Sequence, residues 1–82
     1  MTTLVERTIR AQRKNLKRAH NARFHLNGME YRIVYDGGVG EYMSVYGRKN
    51  TERFRFIDGF HAYKLHSAEE VVDTAKRKVF KP

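Results

Sequence analysis

The alternation of apolar and polar residues predicts a β-hairpin between residues 23 and 36. Asn27-Gly28 lies at its centre, and Asn-Gly favours a type I′ turn because both central positions of that turn need a positive φ. A turn there pairs Leu26 with Met29 and Phe24 with Tyr31. One face of the hairpin then carries Phe24, Leu26, Met29, Tyr31, Ile33 and Tyr35, and the other carries His25, Glu30, Arg32 and Asp36.

Three further segments have the composition of β-strands. A third strand, about residues 41–47, follows the glycine-rich connection 36–40, and strands at about 52–57 and 60–65 flank Asp58-Gly59, a second two-residue turn signal. A turn at Asp58-Gly59 pairs Phe56 with His61 and Phe54 with Tyr63. The pattern therefore predicts that Phe54 and Phe56 are buried, while the cations on the opposite face of this hairpin reach solvent: Arg53, Arg55 and Lys64.

Segments with helical periodicity precede and follow these strands. A helix over about 4–21 begins at a Thr3–Glu6 capping box and has only a narrow apolar stripe. A second helix over 68 to about 80 begins at a Ser67–Glu70 capping box. Its acidic start and basic end complement the helix dipole, so its terminal Lys and Arg residues need no ligand to explain them.

The order of elements predicts an α+β fold: an N-terminal helix, a four- to five-stranded antiparallel meander sheet and a C-terminal helix. With 82 residues the chain is expected to form a single domain, residues 1–82. In such a fold one face of the sheet packs against helices while the other can face solvent.

Charge adds the strongest functional signal. The chain has 17 Lys and Arg against 9 Asp and Glu, a net charge of +8, and residues 1–25 contain seven Lys and Arg against Glu6 alone. A helix that presents Arg7, Arg10, Lys14 and Lys17 on one side spans about 15 Å of cations, which suits several successive phosphates. Like charges at this spacing repel one another, which favours an external anion as their partner.

We therefore expect a small, non-enzymatic protein that binds nucleic acid, DNA or RNA, mainly through sequence-independent phosphate contacts. The alternative is an interaction or inhibitor protein whose basic face binds an acidic protein surface. Either function would use cations of the first helix, of the turn after the third strand and of one sheet face. These residues are Arg7, Arg10, Lys14, Lys17, Arg18, Arg48, Lys49, Arg53, Arg55 and Lys64.

Other chemistry has little support in the sequence. No cysteine accompanies the four histidines, and their spacing is not that of metal ligands: His20, His25, His61 and His66. Neither a metal nor another cofactor is therefore expected. Gly37–Gly40 leads into a strand instead of a helix and lacks the lysine of a phosphate-binding loop. The absence of cysteine and of a long apolar run favours a cytoplasmic protein without membrane contact.

Two resemblances bear on function. The order of elements is similar to that of the double-stranded-RNA-binding family, although Glu69-Glu70 stands where that family begins its second helix with lysines. The segment Glu30–Tyr35 is similar to the central strand of RelE/ParE-type toxins, small basic proteins that often act as ribosome-dependent RNA nucleases. This second resemblance implies RNA cleavage, which would depend on His25 or Tyr31.

Overall fold

The computed structural model describes residues 4–80 of the protein, with side chains from Thr8 onward. The Thr3–Glu6 capping box and the side chain of Arg7 therefore lie outside the described part. The elements are α1 (Leu4–Lys17), β1 (Arg23–Leu26), β2 (Met29–Gly37), β3 (Tyr42–Arg48), β4 (Arg55–His61) and α2 (Ala68–Val79). The predicted α+β fold is confirmed.

The four strands form an antiparallel meander in the order β1-β2-β3-β4. The predicted first hairpin is confirmed, because Leu26 pairs with Met29 and Phe24 with Tyr31. Asn27 and Gly28 have φ values of 52° and 79°, as a type I′ turn requires.

Both helices pack on the same face of this sheet, which we call the covered face. The core there joins helix residues such as Leu16 and Val71 to the strands, through Ile33, Met43 and Val45, which have no solvent exposure. Since side chains alternate along a strand, their neighbours point the other way. We call this other side the open face; its strand residues include Arg23, His25, Arg32, Val34, Tyr42, Ser44, Tyr46, Arg48 and Phe56.

The predicted hairpin at Asp58-Gly59 is wrong. Strand β4 runs straight through these two residues, and Gly59 pairs with Ser44 of β3. Gly59 has no positive φ; instead a Cβ at this position would collide with the side chain of Tyr42, which lies across it. Close approach of a ring, and not a turn, therefore accounts for this glycine, and the predicted fifth strand at 60–65 is replaced by the end of β4 and a turn.

A β-bulge in β4 changes the faces of its two N-terminal phenylalanines. Val45 pairs with Asp58 and the next β3 residue, Tyr46, pairs with Phe56, so Ile57 is the extra residue. An extra residue moves every side chain beyond it to the opposite face. Phe60 is consequently 7% exposed on the covered face, whereas Phe56 is 55% exposed on the open face, and its predicted burial is wrong.

The helices end close to their predicted positions. Helix α1 ends at Lys17 instead of 21, because Asn21 and Ala22 already exchange backbone hydrogen bonds with Ile33 of β2. At the start of α2, the Ser67 hydroxyl accepts from the Glu70 amide at 3.2 Å, which is one of the two bonds of a capping box. The Glu70 carboxylate accepts from the His66 amide at 2.6 Å instead of from the Ser67 amide. Among the described residues, no helix combines the length and apolar character needed to cross a membrane.

Candidate nucleic-acid interface

A buried carboxylate fixes the orientation of α1. Glu41 is 6% exposed, and its carboxylate accepts from Arg13 Nε at 2.7 Å and from the hydroxyl of Tyr35. One residue earlier in the helix, Gln12 Nε2 donates to the backbone oxygens of Tyr63 and Leu65, at 2.6 and 2.8 Å. Gln12 and Arg13 therefore face the sheet layer, whereas Arg10, Lys14 and Arg18 are exposed.

The same contacts shift two pKa values. Burial, followed by the hydrogen bond to Glu41, raises the pKa of Tyr35 to about 12. The hydrogen bond to Glu41 also raises the pKa of Arg13. Both shifts favour the protonated forms, and the ion pair of Arg13 with Glu41 joins α1 to the loop between β2 and β3.

Four of the predicted cations form an exposed strip along α1, which we call the helix strip: Arg10, Lys14, Lys17 and Arg18. Within residues 8–80 none of the four has a carboxylate partner. Only Lys17 has a further contact, with its Nζ 5.9 Å from the centroid of the Tyr35 ring. Mutual repulsion in this strip is therefore not offset inside the described part of the protein.

Lys64 lies in a turn that contacts α1 instead of on a sheet face. This turn follows β4, and in it the Leu65 amide donates to the Ala62 carbonyl at 2.9 Å. The residues on either side of Lys64 are those whose carbonyls accept from Gln12 of α1. The predicted grouping of Lys64 with Arg53 and Arg55 is therefore wrong, because the hairpin that required it does not form.

Three other predicted cations lie at the opposite end of the sheet. Lys49 and Arg53 belong to the β3–β4 connection, and Arg55 begins β4; all three are exposed. In an antiparallel meander this connection and the β2–β3 loop, which holds Glu41 against α1, are at opposite ends. The nine predicted site residues whose side chains are described therefore do not form one continuous patch.

The open face holds a cluster in which Arg48 is the only predicted site residue. The guanidinium carbon of Arg48 is 4.4 Å from the centroid of Phe54, and those of Arg32 and Arg23 are 5.9 and 6.0 Å from it. Glu30 binds Arg48 at 2.7 Å and lies 3.6 Å from Arg23. We call Arg23, Arg32, Arg48 and Phe54 the arginine–phenylalanine cluster.

The cluster retains excess positive charge. Its three guanidinium groups face the single carboxylate of Glu30, whose pKa is lowered mainly by the hydrogen bond from Arg48. Arg32 has no carboxylate partner in the described part, and its buried Nε has no hydrogen-bond partner there. A buried donor without a partner is costly, which marks Arg32 as a group suited to an added acceptor.

Two rings next to this cluster complete the open face. Tyr46 and Phe56 form an edge-to-face pair, with centroids 5.9 Å apart and planes at 78°. Alternation along β2 already assigns Arg32 to the polar face, so that part of the cluster was accessible to sequence reasoning. The outward position of Phe54 and Phe56 was not, because it depends on the bulge at Ile57.

The residues of the nuclease alternative are separated by the sheet. His25 is exposed on the open face, opposite Glu30 of β2, whereas Tyr31 is 7% exposed and stacks on Phe24 in the core. Among the described residues no group of three or more His, Cys, Asp or Glu side chains could hold a metal ion. No protein-family model, curated protein or solved structure matches this chain.

Proposed function

We propose that the protein is a small, non-enzymatic nucleic-acid-binding protein whose helix strip contacts phosphates irrespective of base sequence. The observation that carries this proposal is the set of exposed cations on α1 without carboxylate partners in the described part, on a chain of net charge +8. A phosphate backbone supplies a series of negative charges that would offset their repulsion. Its condensed counterions would be released on binding, which favours the complex entropically.

The helix strip differs in this respect from several other cations of the chain. Arg13 is paired with Glu41, and Arg23 and Arg48 lie within ion-pair distance of Glu30. Lys76, Arg77 and Lys78 occupy the last turn of α2, where the negative end of the helix dipole stabilises them. Within residues 8–80 the helix strip has no comparable anion, which supports an external one.

Fluorescence anisotropy with a labelled 12-nucleotide strand tests the proposal directly. The variant carries Arg10→Gln, Lys14→Gln and Arg18→Gln, and the matched control carries Lys76→Gln, Arg77→Gln and Lys78→Gln, with the same change in net charge. We expect wild-type binding to weaken steeply with salt, and the slope of log K against log salt to fall by about 2 in the α1 variant, near 0.7 per lost contact. The α2 control should change affinity much less than the α1 variant.

Three outcomes would contradict the proposal. These are no binding at low salt, binding that does not weaken between low and moderate salt, and equal losses in the α1 and α2 variants. The same titration with poly-glutamate separates the acidic-partner alternative. Equal or tighter binding of poly-glutamate than of the nucleic acid would favour an acidic protein surface as the partner.

A further inference from the structure

We infer that the open face of the sheet is a stacking surface for unpaired bases, with Phe56 and Tyr46 as the rings and the arginine–phenylalanine cluster beside them. The inference rests on the proposed nucleic-acid binding and adds the kind of nucleic acid: single-stranded. It concerns a surface on the other side of the sheet from α1, so the two contacts are separable by mutation.

Exposure of Phe56 is the first observation. A phenylalanine contributes most to stability when it is buried, yet Phe56 is 55% exposed in a chain whose core has few large side chains. The bulge at Ile57 aims it outward together with Phe54. Bulges commonly re-aim side chains next to functional sites.

The neighbours of Phe56 favour a base over an aliphatic partner. Next to the Tyr46–Phe56 pair, an open pocket of about 330 Å³ is lined by Arg32, Val34, Tyr46 and Phe54. Its walls are rings and a guanidinium group, with Val34 as the aliphatic member. Single-stranded nucleic acids bind to such surfaces because bases stack on aromatic rings and on arginine planes while phosphates pair with the cations.

Electrostatics at the pocket agree with this occupant. Arg32 lines the pocket and has no hydrogen-bond partner for its Nε in the described part, and Arg23 and Arg48 share one carboxylate. A phosphate or a base carbonyl near Arg32 would supply the missing acceptor. A neutral apolar segment would bury the same charges without compensation.

A second ring pair extends the surface along β3. Tyr42 lies on the same face as Tyr46, four residues away, which corresponds to about 13 Å along a strand. The Tyr42 and His61 rings are in edge contact, with centroids 5.1 Å apart. The two ring pairs lie near opposite ends of β3, so an extended strand that follows β3 would meet both.

A leucine in place of Phe56 removes the aromatic ring but keeps a bulky apolar side chain, and this change tests the inference. The variant is Phe56→Leu, and the matched control is Phe80→Leu, a phenylalanine that is 53% exposed at the end of α2. The probes are a fluorescein-labelled dT 12-mer, an abasic 12-mer with the same phosphates, and the dT 12-mer annealed to its complement, all at moderate salt. For the wild type we expect the dT strand to bind at least several-fold more tightly than the abasic strand or the duplex.

Phe56→Leu should weaken binding of the dT strand by roughly 5- to 100-fold, the range for one lost base stack. It should leave binding of the abasic strand unchanged, and Phe80→Leu should change neither. If all three probes bind but Phe56→Leu weakens the binding of none of them, the inferred stacking surface is contradicted. The proposed phosphate binding by α1 is then retained. If no probe binds even at low salt, the proposed function itself is wrong.

Self-association is the competing use of the open face. Light scattering on the wild type and on Phe56→Leu, at matched concentrations, distinguishes the two uses. A monomeric wild type supports the inference. A wild-type dimer that Phe56→Leu converts to a monomer, with an unchanged preference for dT over the abasic strand, would overturn it.

Discussion

Phe60 and Phe56 belong to the same strand, but Phe60 packs beneath the helices and Phe56 lies in solvent on the opposite side. The residues around them differ in kind as well. Next to Phe60 the sheet presents Met43 and Val45, which are fully buried, whereas next to Phe56 it presents Tyr46 and a group of arginines. The comparison teaches that the role of a ring in this sheet depends on its neighbours and on local register more than on its own hydrophobicity.

The two faces also differ in how their charged side chains are paired. On the covered face Glu41 is buried, and its carboxylate is shared by Arg13 and Tyr35. On the open face the guanidinium groups outnumber the nearby carboxylates, and Arg32 has an unpaired buried Nε among the described residues. The first arrangement stabilises the fold, and the second is suited to a ligand.

Truncation of the two phenylalanines gives the largest expected difference. We expect Phe60→Ala to lower the free energy of unfolding by about 3–5 kcal/mol, because it leaves a cavity in the core. Phe56→Ala should lower it by less than about 1 kcal/mol, because its ring is already in water. Urea denaturation measures both, and equal losses would break the distinction between the faces.

Gly59→Ala tests whether the Tyr42 ring explains the glycine in β4. The new methyl group would collide with Tyr42, so we expect a loss of about 1–3 kcal/mol in the free energy of unfolding. In the Tyr42→Ala background the same substitution should cost clearly less, since the obstructing ring is gone. Equal costs in the two backgrounds would show that Gly59 is required by its backbone and not by Tyr42.

Glu41→Gln tests the charged contact that holds α1 on the covered face. The amide keeps one acceptor for Tyr35 but loses the ion pair with Arg13, so we expect a loss of about 1–2 kcal/mol in the free energy of unfolding. Glu52→Gln is the control, because Glu52 is exposed in the β3–β4 connection. A loss for Glu41→Gln no larger than that of the control would contradict this account of the helix orientation.

The last test is the alkaline titration of Tyr35. Its pKa is about 12 in the folded protein and near 10 in an unfolded chain. Because the folded state retains the proton more tightly, the stabilisation is complete below pH ~10 and is lost as the pH rises toward ~12.

Other tyrosines and lysines titrate in the same range, so the useful quantity is the difference in unfolding free energy between the wild type and Tyr35→Phe. We expect this difference to shift against the wild type between pH ~10 and ~12. Parallel pH profiles of the two proteins would rule out the raised pKa as a source of stability.

Local signals account for what the sequence predicted well. The Asn27-Gly28 turn was predictable because its positive φ values depend on two adjacent residues. Helix α2 was predictable because Ser67 and the charges at both ends act within the helix itself. The exposed helix strip was predictable in the same way, from the spacing of its cations.

Contacts between distant residues account for what the sequence did not reveal. Gly59 has the sequence context of a turn, but the ring that requires it comes from Tyr42 on the neighbouring strand. The bulge at Ile57 likewise depends on pairing with β3, and it alone decides the faces of Phe54 and Phe56. The candidate stacking surface therefore became visible only with the register of β3 and β4.

The bulge also makes the open face tolerant of the loss of one codon. Without Ile57, Phe56 and Asp58 would become neighbours and would keep their partners Tyr46 and Val45, so Phe56 would stay on the open face and Phe60 on the covered face. The solvent-accessible ring signal of Phe56 should therefore persist in NMR spectra of an Ile57 deletion, and its loss would show that the pairing with β3 had changed. In evolutionary terms, a bulge lets a strand gain or lose one residue without moving the neighbouring side chains to the other face.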